Sequence, residues 1–412
     1  MTTELTFTTT DSDWTPPTSY PDLSDRSTIA IDLETRDPNI KKTGPGWPTK
    51  DGEIVGIAVA TDGFKGYFPI AHERGDNLDP NMTMKWFQKV MASDADKICH
   101  NASYDIGWCR ASGIKTNGKI IDTMLAGAII DENRRGYSLN ALSAEYLGEI
   151  KSEVKLREKA EEWGLDAKAD LWKLPPSFVG EYAEQDAELT LKLWRKFETE
   201  IKLKNLSSIF EMETKLLPIL IEMREHGIRM DMNKAEVMKK TFVLEEKKKL
   251  HEIKGLTGID VELWAATSVA KAFDSMKVPY DRTEKTKAPS FTTNWLHNCT
   301  HPLAKLVREA REMNKFHSTF IDSIFKFEHK GRIHAEINQL RSDNGGTVTG
   351  RLSMSNPNLQ QVPARNKEFG KQIRSLFLPD KEKQWGSFDY SQQEPSFRLP
   401  HIKSTMSSSY SY

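Results

Sequence analysis

The first half of the sequence predicts an α/β fold, on three observations. A β-branched apolar run ends in acids, a hairpin signal follows it, and two later helical patterns each carry an acid. "STIAIDLET" reads as a buried strand over Ser27–Leu33, because apolar and β-branched residues precede the acids without a break. Side chains alternate along a strand, so Asp32 and Glu34 leave the same face at its end while Leu33 turns into the core. "EIVGIAVATDGFKGYFPI" follows as two strands joined at Asp62-Gly63, a dipeptide suited to a tight hairpin turn. In "HNASYDIGWCRASGI", Asn101 is suited to cap a helix on which Asp105 stands one turn later. Pro175 and Pro176 precede a long amphipathic helix in "PPSFVGEYAEQDAELTLKLWRKF". There Tyr182 and Asp186 are four residues apart and stack on one face.

The bulk numbers bound the class without deciding it. A chain of 412 residues holds two or three domains. Its net charge of −1 gives no electrostatic argument for nucleic-acid binding by itself. Three cysteines (Cys99, Cys109, Cys299) without paired spacing argue against a disulfide framework and against a zinc site. No N-terminal basic region runs into an apolar core, and no apolar run approaches membrane-spanning length. The expectation is a cytoplasmic protein with no membrane partner.

Asp32, Glu34, Asp105 and Asp186 can stand around one point, with Tyr182 beside them. Four converging carboxylates suit two hard divalent ions about 4 Å apart, which clamp the attacking and leaving oxygens of an in-line displacement. Magnesium prefers carboxylate oxygen and water to nitrogen or sulfur. The residues therefore point to phosphodiester hydrolysis with two Mg2+ or Mn2+.

Taken in order and context, "AIDLETRD", "CHNASYDIGW" and "EYAEQDAELT" resemble the three exonuclease motifs of family A DNA polymerases. The variant is the one whose third motif carries a tyrosine. "DTMLAGAIIDENRRGYSLNALSAEYLG" resembles the segment between the second and third motifs. "FEMETKLLPILIEMREHGIRMDMNKAEVMKK" and "HPLAKLVREAREMNKFHSTFIDSI" resemble thumb segments of that family. "GRIHAEINQLRSDNGGTVTGRLSMSNPNLQQVP" resembles its thumb-to-palm signature, and "WGSFDYSQQE" its polymerase motif A. The resemblance spans residues 27–394.

This resemblance implies an architecture. A polar lead over residues 1–26 precedes a ribonuclease-H-like 3′–5′ exonuclease domain over 27–202. A mainly helical thumb over 203–330 and a partial palm over 331–394 follow, and 395–412 is an aberrant Ser/Tyr-rich tail. It also implies roles. Asp32 bridges both ions, Glu34 and Asp186 complete the first, and Asp105 reaches the second partly through water. Tyr182 orients the attacking water, while Thr35 and Asn101 hold the terminal nucleotide of a single strand. Arg351, Asn358 and Gln360 match positions that touch primer–template DNA. Asp389 and the Tyr390 carbonyl match palm metal ligands, and Glu394 matches the residue under the incoming sugar.

Glu394 is the last acidic residue, so the second palm carboxylate and the triphosphate-binding finger helix are expected to be missing. The expected protein is a replication-type family A polymerase, truncated after motif A, whose exonuclease is intact. In a phage-infected cell its place is the host cytoplasm. Two alternatives stay open: a subunit of a split polymerase completed by a partner fragment, and a non-catalytic DNA-binding remnant. "SLFLP" and "WGSFDYS" are expected to form palm strands without neighbours. The loop "DPNIKKTGPGWPTKDGE" offers Trp47 for stacking on single-stranded DNA, with a plain surface loop as the alternative. Trp86, Trp108, Trp163, Trp172 and Trp194 are expected to fill cores.

Overall fold

A computed structural model describes residues 12–388, apart from 152, 344 and 364–368. Chain order begins with strand β1 (Thr28–Arg36), the short helix α1 (Ile40–Thr43), β2 (Glu53–Thr61) and β3 (Phe64–Pro69). Helix α2 (Pro80–Ala92), β4 (Asp96–Cys99), α3 (Ala102–Ala111) and β5 (Ile120–Asp122) follow. Helices α4 (Thr123–Ile130), α5 (Leu139–Tyr146) and α6 (Val154–Glu162) lead to the long α7 (Pro176–Leu203). The strands form one sheet in the order β3-β2-β1-β4-β5. β1, β2 and β3 pair antiparallel, whereas β4 and β5 continue parallel to β1.

β1 lies at the centre of this sheet, and its alternation sorts the two faces. Ile29, Ile31 and Leu33 enter a core that includes Phe87 and Val90 of α2 and Ile106 of α3. On the opposite face Ala30 joins Ala58 and Ala60 of β2 in a core with Ala183 and Ala187 of α7. Such small residues let a helix approach a sheet closely, and α7 packs on β1, β2 and β3. Asp32 and Glu34 leave β1 on this α7 face, as the strand pattern predicts. The expected hairpin closes with Thr61 opposite Phe64, and Gly63 adopts the left-handed φ of +76° that the turn requires.

Two local expectations need correction. Asn101 occupies the N-cap position of α3, but its side chain makes no capping bond. The Asp122 carboxylate takes that role, accepting the Asn101 and Ala102 backbone N–H groups at 3.0 and 2.8 Å. It also caps α4 through Met124 at 2.9 Å. Trp47 is no stacking platform, being 1% exposed and packed over Gly107, where a Cβ would stand 2.3 Å from the indole. Trp86, Trp108 and Trp194 are buried as expected. Trp163 and Trp172 are half-buried instead, each with a guanidinium over its ring, Arg74 at 5.1 Å and Arg36 at 5.0 Å.

The second half begins with α8 (Ser207–His226), β6 (Ile228–Met230), α9 (Met232–Thr257) and α10 (Ala266–Ser275). The small strands β7 (Asp281–Arg282) and β8 (Pro289–Ser290) pair with each other before α11 (Thr293–Asn298). Next come α12 (Pro302–Lys315), α13 (Asp322–Phe327), β9 (Glu328–His329) and β10 (Arg332–Ile333). β11 (Glu336–Asn338) pairs antiparallel with β12 (Ser353–Ser355), and α14 (Phe369–Arg374) and β13 (Phe377–Leu378) complete the described elements.

The "SLFLP" strand has a neighbour after all. β13 pairs antiparallel with β6, in a four-stranded sheet of order β13-β6-β10-β9. Three residues linking α8 to α9 supply that neighbour, a length too short to read as a strand in sequence. Ile333, Ile373 and Leu376 are fully buried in the core beneath it. The described part of "WGSFDYS", Trp385–Phe388, forms no strand. The two halves of the chain are joined through α8. Phe210 packs in one exonuclease-side core, Leu217 and Ile221 in the other. The buried Gln339 amide donates to the Glu213 carboxylate at 2.7 Å.

Candidate active site

Three pieces of this frame deliver the five expected catalytic residues. β1 carries Asp32 and Glu34, α3 carries Asp105, and α7 carries Tyr182 and Asp186. The Asp105 carboxylate accepts the Leu33 backbone N–H at 3.0 Å, so α3 is fastened to β1 between its two acids. The acids feel one another. Burial pushes the Asp32 carboxyl up to about 7, and the negative Asp186 adds to the shift while Lys151 opposes it. Glu34 is held well above the usual carboxylate range by burial, then by Asp32 and Asp186. Burial and Asp32 raise Asp105 likewise. The Tyr182 phenol is pushed up by burial and by the charge of Asp186, so it keeps its proton, and it hydrogen-bonds Asp186.

Lys151 joins this group without any sequence signal. Its ammonium lies 2.7 and 2.5 Å from the two Asp186 oxygens and 3.9 Å from the Tyr182 ring centroid. Glu153 stands 3.7 Å away. In the charge-rich run "EIKSEVKLREK" a lysine reads as solvated; only the tertiary fold buries it.

Among the described residues, no group of three or more His, Cys, Asp or Glu side chains is gathered closely enough to hold a metal ion. The donor chemistry nonetheless fits hard cations. Asp32, Glu34 and Asp105 are carboxylates raised first by burial and then by neighbouring acids, Asp186 on Asp32 and Asp32 on Glu34 and Asp105, and an added positive charge would relieve that cost. Their oxygens are the ligand type magnesium and manganese accept.

The other expected contacts lie around or outside this cluster. The Thr35 hydroxyl shares a 2.5 Å hydrogen bond with the Tyr104 hydroxyl. Asn101 takes a left-handed backbone with φ of +67°, and its side-chain oxygen accepts from the Ser103 hydroxyl at 3.3 Å. Asn101 and Tyr104 also line a cavity of about 550 Å³ between α3 and α8, whose wall includes none of Asp32, Glu34 or Asp186. Arg351 is exposed in the β11–β12 connection. The Asn358 carboxamide accepts the Gln360 backbone N–H at 3.1 Å, and the Gln360 amide donates to the Leu352 carbonyl at 2.9 Å. Asp389, Tyr390 and Glu394 lie outside the described residues.

Comparison with known proteins decides the family. Residues 20–202 match the 3′–5′ exonuclease model of DNA polymerases, and residues 232–399 match the DNA polymerase family A model. The chain belongs to the family A DNA polymerases. A DNA-directed DNA polymerase of Pseudomonas phage M6 is 35% identical over 94% of this chain and 61% of its own length. DNA polymerase DpoZ of Acinetobacter phage SH-Ab 15497 is 30% identical over 92% of this chain and 62% of its own length. This family A chain therefore spans about three-fifths of the length of its phage relatives. In fold it is similar to the POL domain of Pol1 from M. smegmatis, solved with DNA primer-template and dNTP. The TM-score is 0.65 at 21% identity, covering 86% of this chain and 55% of that one. The five-stranded sheet with α7 across it is the ribonuclease-H-like exonuclease domain of the family, and the helices and small sheets after it belong to thumb and palm. Family A polymerases and their exonuclease domains use divalent metals. Among the described residues, no helix is long and apolar enough to cross a membrane.

Proposed function

We propose that this chain is a metal-dependent 3′–5′ exodeoxyribonuclease that trims single-stranded DNA ends, acting in the cytoplasm of a phage-infected cell. One observation carries the reading: β1, α3 and α7 bring buried acids together, with Asp105 fastened to the Leu33 N–H and Asp186 near enough to Asp32 and Glu34 to raise both. Two magnesium or manganese ions held by Asp32, Glu34, Asp105 and Asp186 would activate water and neutralise charge on the phosphodiester. The protein's own residues do the rest. The Leu33 N–H bond fixes Asp105 against β1, so the three acids share one rigid base. Tyr182 keeps its phenolic proton and can orient a water by hydrogen bonding without giving up charge. Thr35 on β1 and Asn101 at the start of α3 would hold a frayed 3′ nucleotide. A mismatched end frays at lower cost, which selects errors without reading bases.

The test is digestion of a 5′-labelled single-stranded oligonucleotide. Purified protein should shorten it from the 3′ end with magnesium, and a chelator should stop the reaction. Unimpaired digestion by Asp32→Ala would refute the assignment.

A second reading, one part of a polymerase completed by a partner fragment, is favoured by the edge position of β13 and by exposed aromatics. Trp385 is 61% and Phe388 98% exposed. Residues 1–412 carry one aspartate in the motif A match, Asp389. By themselves they are expected to hydrolyse DNA and not to extend it.

A further inference from the structure

The Lys151 ammonium occupies the ground that a cation would need. It lies within 2.7 Å of both Asp186 oxygens, and the two side chains are only 6% and 8% exposed. An ammonium has three donors and no acceptor. Two of its donors meet Asp186, and the charge rests against the face of Tyr182. The segment carrying Lys151 is anchored on both sides. Glu149 pairs with Lys192 of α7 at 2.9 Å, and the Glu153 carboxylate accepts from the Asn140 amide at 3.2 Å. Lys151 is therefore no surface lysine folded inward by chance contact. Its positive charge opposes the upward shifts of Asp32 and Glu34.

We propose that Lys151 is an internal counter-ion that holds Asp186 in the metal-free protein and competes with a divalent ion for it. This inference rests on the hydrolytic reading above, since it concerns the same carboxylate. An ammonium on both oxygens of one carboxylate and a divalent cation on the same group repel each other, the more strongly in a site stripped of water. In this proposal ion binding loosens the ammonium from Asp186. The lysine thus serves two ends: its charge offsets the crowding of Asp32, Glu34 and Asp186, and it lowers divalent affinity until the ion's own gain exceeds the lost pair. Lys151 is a positioning residue here, acting through Asp186.

Manganese titration of metal-free protein by calorimetry, with thermal melts, tests this. Lys151→Met keeps length and removes charge. It should bind Mn2+ more tightly, on the order of tenfold, and melt at a lower temperature than wild type when metal-free. Unchanged or weaker Mn2+ binding by Lys151→Met overturns the proposal. Wild-type protein supplies an independent measurement if that variant does not fold. An amine-acylating reagent should leave Lys151 protected in chelator and modify it with saturating Mg2+, while Lys240, 74% exposed, reacts equally in both. Equal labelling of Lys151 in both conditions also overturns it. Wild-type protein that binds no Mn2+ at all would overturn the hydrolytic reading itself; binding without competition removes only the role of Lys151.

Discussion

Asp105 of α3 accepts the backbone N–H of Leu33 at 3.0 Å, and Leu33 separates Asp32 from Glu34 on β1. One carboxylate thus acts as a structural acceptor and as a member of the acidic cluster. The two roles can be separated. Asp105→Asn keeps an acceptor for Leu33 and removes a charge that burial and Asp32 both disfavour. It should fold at least as stably as wild type while losing nuclease activity by on the order of a hundredfold or more. Asp105→Ala leaves the Leu33 N–H without its partner, at a cost of about 1–3 kcal/mol relative to Asp105→Asn. Urea midpoints beside rates of oligonucleotide digestion measure both. An active Asp105→Asn would remove this acid from the catalytic set.

A second prediction concerns acid stability. His72 is buried between the Tyr67 hydroxyl, 2.6 Å from Nε2, and the Leu174 carbonyl, 2.7 Å from Nδ1. A carbonyl can only accept, so Nδ1 donates to it, and in the neutral ring Nε2 accepts from Tyr67. Burial lowers its pKa to about 4 from 6.5. The folded state then binds fewer protons than the unfolded chain between these values. Its contribution is whole above pH 6.5 and is lost as pH falls through 4, by at most roughly 3 kcal/mol. The raised carboxylates Asp32 and Glu34 act in the opposite sense over the same range, so the total slope mixes signs. The difference between wild type and His72→Gln isolates the histidine. Wild type should lose stability relative to this variant between pH 6.5 and 4.5, read from urea unfolding. Parallel curves would contradict the neutral assignment.

Much of this site was legible because its acids sit where periodic patterns begin or end. Asp32 and Glu34 close a strand of period two, and Tyr182 and Asp186 share a helix face, so the sequence alone put both pairs on defined faces. What brought them together, the alanines Ala30, Ala58, Ala60, Ala183 and Ala187 between sheet and helix, is visible only after packing. The Asn101 cap misled because Asp122, 21 residues later, reaches the same N–H groups from the adjacent strand. Trp47 misled because a Gly/Pro/Lys loop looks exposed until Gly107 opens room for the indole. Lys151 had no pattern at all, since a buried lysine in a charged run differs from a solvated one only by its tertiary partners.

Tyr182 separates positioning from metal binding. It is proposed to orient water, so Tyr182→Phe should slow hydrolysis by roughly 10- to 1000-fold. Its removal leaves the four carboxylates in place, and Mn2+ affinity measured by calorimetry should stay within about twofold of wild type, since no ligand is lost. A variant needing far more metal for half-maximal rate would make Tyr182 part of the ion site.

The pairing of β13 with β6 changes what proteolysis should reveal. Ile333, Ile373 and Leu376 are fully buried together with Met230 and Phe242 of the thumb. Limited trypsin digestion should therefore spare the segment 369–378 about as well as α9. Prompt release of that segment, with the exonuclease core intact, would show that the small sheet does not hold it.

DNA synthesis supplies the sharpest separation of the two halves. Phosphoryl transfer to a primer needs metal ions bridging the triphosphate and positive groups on its phosphates, because positioning and electrostatic stabilisation are nearly the whole of that catalysis. Residues 1–412 offer Asp389 in the motif A match and no later carboxylate than Glu394. A single aspartate cannot hold two ions against the charge of a triphosphate. Asp186→Ala, which removes the competing degradation, should leave a 412-residue polypeptide that does not extend a labelled primer on a template. Adding a family A fragment that carries fingers and the remaining palm should restore extension under the split-enzyme reading and leave it absent otherwise. Template-dependent extension by the Asp186→Ala polypeptide alone would overturn the expectation that one palm carboxylate is too few.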